Sequence, residues 1–96
     1  MGTVIVSGRI YVKPERREAF LAASMEAVAQ ARRTKGCLDF VVAADPLEPG
    51  RVNVYESWDS EAALLAFRGN GPGSDLTSEI QRADVRRHEV ASSGPP

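Results

Sequence analysis

The sequence predicts an α+β domain with the element order β-α-β-β-α-β, one four-stranded antiparallel sheet carrying both helices on one face. Three observations predict it. Ninety-six residues suffice for one core and not for two. Four segments alternate in the two-residue period of strands, and two intervening segments repeat in the longer period of helices. Between the second and third strand segments lies only Asp45-Pro46-Leu47-Glu48-Pro49-Gly50, a hairpin connection, whereas the other strands are separated by helix-length crossovers.

The first strand covers Thr3 to Val12, with Val4, Val6, Ile10 and Val12 on one parity and Ile5, Ser7, Arg9 and Tyr11 on the other. Pro14 and Glu15 then open a helix, because proline lacks the N–H that the first helical position would leave unsatisfied. That helix is expected over Pro14 to Thr34, with Phe20, Leu21, Ser24, Ala27, Val28 and Ala31 along its apolar stripe. Gly36 ends it, after basic residues that suit the negative end of the helix dipole. The second strand is expected from Cys37 to Ala44, setting Leu38, Phe40 and Val42 opposite Cys37, Asp39 and Val41. The third, Arg51 to Trp58, sets Val52, Val54, Glu56 and Trp58 opposite Asn53, Tyr55 and Ser57. Asp59 or Ser60 caps a short helix through Leu64 and Phe67. Gly69 to Gly73 reads as a loose segment, a candidate lid, followed by a helical piece from Ser74 to Arg82. The last strand, Val85 to Ala91, is polar on both sides and belongs at a sheet margin. The domain spans residues 1–92, and 93–96 form a frayed tail.

This order is that of the ferredoxin-like, split βαβ fold. Right-handed crossovers place both helices on one face of the sheet. The other face should be wetted, yet strand one is apolar at Ile5 and Tyr11 as well as at Val4, Val6 and Ile10, and strand three adds Tyr55. A second copy is the simplest cover, so a two-fold homodimer is expected.

Composition excludes several classes. Twelve basic against thirteen acidic residues give a net charge of −1, with no cluster to attract nucleic acid or anionic lipid. No apolar run approaches the roughly 20 residues that span a bilayer, so no membrane partner is expected. The N-terminus passes directly into strand pattern and shows no signal peptide. Cys37 is a single cysteine, without a partner for a disulfide or a metal site, and a cytoplasmic location is expected. No cofactor and no metal ligand set are expected.

The candidate site residues are few. Trp58 and Glu56 share a strand face, where an indole can stack on an aromatic molecule while a carboxylate binds a hydroxyl or takes its proton. Arg9 and Tyr11 share a parity on the first strand and are candidates for substrate binding, Tyr11 also for proton transfer. His88, the one imidazole and so a side chain suited to proton transfer, is a further catalytic candidate, though it stands between Arg87 and Glu89 on a polar strand.

Val12-Lys13-Pro14-Glu15 with Phe20, then Lys35-Gly36-Cys37-Leu38, Asp45-Pro46, and above all Tyr55-Glu56-Ser57-Trp58-Asp59-Ser60-Glu61-Ala62-Ala63-Leu64 resemble the antibiotic biosynthesis monooxygenase domain family. The resemblance runs from about Val4 to Val90. It implies a dimeric α/β barrel, two sheets face to face, with an apolar cavity between sheet and helices in each protomer. It also implies cofactor-independent oxygenation of a small aromatic, quinol-like or polyketide substrate by molecular oxygen. The alternatives within the resemblance are a non-catalytic ligand-binding or stress-related dimer and an isomerase of a small metabolite. Polyketide-oxidising members carry an Asn four residues before the Trp and a Tyr six after it, where this chain has Val54 and Leu64. Haem-degrading members use a His on the second helical segment, and Ser60 to Arg82 contains none.

Overall fold

The computed structural model describes residues 2–70 and 75–96. Strands β1 (Val4–Tyr11), β2 (Cys37–Ala44), β3 (Arg51–Trp58) and β4 (Arg82–Glu89) form one antiparallel sheet in the order β2-β3-β1-β4. Helices α1 (Arg17–Arg32) and α2 (Glu61–Asn70) connect β1 to β2 and β3 towards β4. This is the ferredoxin-like arrangement that the sequence predicts.

The helix opened by Pro14 begins with a 3₁₀ turn, Pro14–Arg16, before α1 takes up the α-helical ladder. Phe20, Ser24 and Ala31 are buried on its inner stripe. Gly36 then turns the chain at a φ of 92°, where a side chain would collide with Ala63 of α2. The Ser60 hydroxyl accepts a hydrogen bond from the Ala63 N–H at 3.1 Å and so caps α2. Arg17 of α1 donates to the carbonyls of Asp45, Glu48 and Arg51, which ties the start of the helix to the β2–β3 connection.

β1 and the first helix end slightly inside their expected bounds, and the C-terminal half and β2 depart further from expectation. The segment after α2 is a 3₁₀ turn, Asp75–Glu79, and β4 starts at Arg82 rather than Val85, ending at Glu89. Gln81 donates its N–H to the Tyr11 carbonyl at 2.8 Å, so strand pairing with β1 prevails over helix continuation there. In β2 the register shifts between Cys37 and Asp39, with Leu38 as the extra residue of a bulge. The bulge puts Cys37, opposite Trp58, on the same face as Phe40, opposite Glu56. Cys37 therefore packs against the core and Leu38 is 58% exposed, the reverse of the assignment that strict alternation gives.

The helix-covered face holds two separate clusters of buried residues. The upper one gathers Val4, Val6, Ala31, Phe40, Trp58 and Leu64. The lower one gathers Ile10, Val12, Phe20 and Val52, with Leu76 of the second 3₁₀ segment and Ile80 just after it packed against it. On β2, Val42 touches both clusters. On β1 the residue between them is Gly8, whose neighbours in register are Val54 on β3 and Val85 on β4. None of the three is buried.

Candidate active site

Alternation along β3 directs Glu56 and Trp58 to the helix-covered face, next to that break in the core. Trp58 is fully buried. Phe67 of α2 packs against it with ring centroids 5.2 Å apart, and Phe40 meets Phe67 edge-on at 5.9 Å. The indole Nε1–H donates to Glu56 Oε1 at 3.0 Å. That hydrogen bond fixes the carboxylate in an aromatic setting. Burial raises its pKa above the ordinary glutamate value, while the indole N–H and the charge of Arg68 oppose the rise. The result is a half-buried carboxylate that is more basic than one in water, which suits removal of a proton from a phenol or an acidic C–H.

The floor beside Glu56 is formed by Gly8. Its φ of 152° is one that L side chains rarely adopt, and an added Cβ would strike the Asp84 carbonyl of β4. The only side-chain-free position on β1 thus falls where the two clusters part. On the far side of β1 stands Arg87, which shares the helix-side parity of Val85 and pairs in register with Val6. It forms an ion pair with Glu61, in the first turn of α2.

Arg9, Tyr11 and His88 lie on the opposite face of the sheet. Arg9 is paired with Asp84 at 3.1 Å, the Arg82 guanidinium lies 4.2 Å above the Tyr11 ring, and His88 is exposed opposite Ile5. The candidates named from sequence therefore divide into two groups. Glu56 and Trp58 come together on the helix-covered face, joined by a hydrogen bond; Arg9, Tyr11 and His88 do not join them. Gly8, Phe40 and Phe67 were not singled out by sequence reasoning, and Arg87 stood out only as a charge on the polar last strand, not as a group of this site. A lone glycine within a β-branched strand was the available signal for the first; for Arg87 there was none. The candidate lid, residues 69–73, falls largely outside the described residues. Among the described residues no group of three or more His, Cys, Asp or Glu is placed to hold a metal ion. None of the described helices is long and apolar enough to cross a membrane.

The sequence profile of the antibiotic biosynthesis monooxygenases matches residues 3–73. The chain belongs to the antibiotic biosynthesis monooxygenase family. That match takes in β1 through α2, and with them Gly8, Glu56 and Trp58. A relative from Synechocystis, the uncharacterised protein sll1783, is 33% identical over 61 residues, 64% of this chain and 42% of its own length. The chain thus spans less than half of that relative. Among solved structures, a conserved protein from Methanosarcina mazei superposes with a TM-score of 0.77 at 20% identity, over 93% of each chain. Rv0793 from Mycobacterium tuberculosis gives a TM-score of 0.75 at 18% identity, over 98% of this chain and 100% of its own. A Nitrosomonas europaea protein, provisionally named an antibiotic biosynthesis monooxygenase, gives 0.79 at 16% identity, over 95% and 93%. At these identities the superpositions establish the fold that this family member shares with them.

Proposed function

We propose that this family member is a cofactor-independent monooxygenase acting on a small aromatic, quinol-like or polyketide molecule held between sheet and helices. The observation that supports the reading best is the Glu56 carboxylate, held by the Trp58 indole beside the break in the core. An anthrone illustrates the chemistry. Glu56 removes a proton from the methylene between the rings; the carbanion passes one electron to molecular oxygen, and the two radicals combine through a new carbon–oxygen bond to give a hydroperoxide. Loss of the second methylene proton then breaks the oxygen–oxygen bond, so that the methylene becomes a carbonyl and the outer oxygen leaves as hydroxide, protonated to water. The substrate itself supplies all the electrons, so the protein has only to bind, deprotonate and exclude water. Arg68 lies near enough to influence Glu56 and adds positive charge for an anionic substrate.

Oxygen uptake with a panel of anthrones and hydroquinones tests the reading. Glu56→Gln keeps an acceptor for the indole N–H and loses the base, so kcat should fall by about 10²-fold or more with little change in KM. Turnover unchanged in Glu56→Gln would sink the proposed role. A second reading is a ligand-binding protein without turnover, favoured by Val54 and Leu64 where polyketide-oxidising members carry polar residues. It requires tight binding of the same compounds and no oxygen uptake.

The proposal includes a two-fold homodimer formed by the open faces of two sheets. Tyr55 is an exposed large side chain on that face, paired in register with Val41, and Leu38 is exposed at the bulge of β2. A monomeric mass by light scattering at micromolar concentration would overturn it.

A further inference from the structure

The groups around Gly8 bear on which aromatic molecules the proposed site would take, an inference that rests on the reading of the space over Gly8, between sheet and helices, as the substrate site. In register, Glu56 of β3, Val6 of β1 and Arg87 of β4 form one row across the helix-covered face. Val54, Gly8 and Val85 form the next row on the same face. Adjacent strands are about 4.8 Å apart, so Glu56 and Arg87 stand roughly 10 Å from each other at the backbone. Val6 between them is buried under the upper cluster, so a ligand would lie one row below, over Gly8, where the sheet carries no side chain. From that place a flat ring system meets a carboxylate at one corner and a guanidinium at the other. Val54 lies under one side of it and Val85, 37% exposed, under the other.

Arg87 is not committed to the fold as a buried charge would be. Its side chain is 47% exposed and that of its partner, Glu61, is 45% exposed. Each can be solvated if the pair opens, and exposed pairs of this kind contribute little to stability. The guanidinium fork also fits a carboxylate in a planar, two-bonded fashion. We infer that the cavity selects aromatic acids, with a ring hydroxyl or acidic C–H presented to Glu56 and a carboxylate received by Arg87, which the ligand takes over from Glu61. Glu61 is then the intramolecular competitor that holds Arg87 in place while the cavity is empty, and Arg87 is a specificity-determining residue rather than a catalytic one.

Isothermal titration with 6-hydroxy-2-naphthoate and with its neutral isostere, 6-hydroxy-2-naphthamide, tests the inference. The wild-type protein should bind the acid about tenfold tighter than the amide. Arg87→Gln should abolish that preference, weakening binding of the acid by about tenfold more than binding of the amide. Arg87→Lys should keep part of the preference, and Glu61→Gln should tighten binding of the acid alone. The Glu61 and Lys variants decide the matter if Arg87→Gln folds poorly. Amide binding combined with no preference for the acid, or with a preference that survives Arg87→Gln, overturns the inference and leaves the cavity as the binding site. Failure of both compounds to bind the wild-type protein overturns the cavity reading and the inference with it.

Discussion

The two ends of the β2–β3 hairpin carry two carboxylates with opposite fates. At the connecting end, Asp45 accepts from the Leu47 and Glu48 N–H groups at 3.0 and 2.9 Å and from Asn53 Nδ2 at 3.0 Å. Arg51 stands 3.3 Å away. At the other end, Glu56 receives the single indole N–H of Trp58 and is half-buried. The first carboxylate is held at a pKa of about 2, chiefly by the Asn53 and backbone donors; the second is raised by burial. A carboxylate surrounded by donors organises a turn. One left with spare acceptor capacity in an apolar setting is available to a ligand.

Trp58→Ala is expected to have the largest effect on that contrast. It removes a fully buried indole together with the donor to Glu56, and such truncations cost about 3–5 kcal/mol. Cys37→Ser, at a partly buried position of the same cluster, should cost much less. Equal losses of Tm in thermal melts of the two variants would show that Trp58 does not anchor this end of the hairpin.

Asp45→Ala comes next and tests the other end. Because the folded pKa lies below the unfolded value, the stabilisation is present above about pH 4 and is lost as pH falls through about 2. The melting temperature of Asp45→Ala should therefore lie below wild type at pH 7, with the gap narrowing between pH 4 and pH 2. A gap independent of pH would assign the loss to packing instead of charge.

Glu56→Gln should have the smallest effect on stability, and in the opposite direction. Burial raises the folded pKa above the unfolded one, so the favourable contribution is present below about pH 4.5 and is lost as pH rises through the folded value. The variant should melt slightly above wild type at pH 7 and level with it near pH 4. A variant less stable than wild type at pH 7 would mean that the ionised carboxylate is a structural group like Asp45.

Much of the fold was legible in the order of residues, because strand and helix periods are local properties of the chain. Pro14 and Gly36 marked the ends of the first helical segment, Ser60 capped the second, and the proline-containing Asp45–Gly50 stretch fixed the hairpin. Glu56 and Trp58 were legible as a pair for the same reason, since residues two apart on a strand share a face. The faces of β2 around its bulge were not legible. The register shift depends on how β2 pairs with β3, and that pairing turned Leu38 outward and Cys37 inward.

The sequence by itself determined the element order, the antiparallel sheet, the parity of each strand beyond the bulge and the placing of Glu56 and Trp58 on one strand face. Only the tertiary structure decided that Arg9, Tyr11 and His88 belong to the other face from that site. It alone placed Gly8 between two core clusters and Arg87, from a strand remote in sequence, across β1 from Glu56. The physical reason is range. Periodicity reports the face of each residue within its own strand, whereas neighbours across a sheet are set by register, which depends on the pairing and packing of all four strands at once.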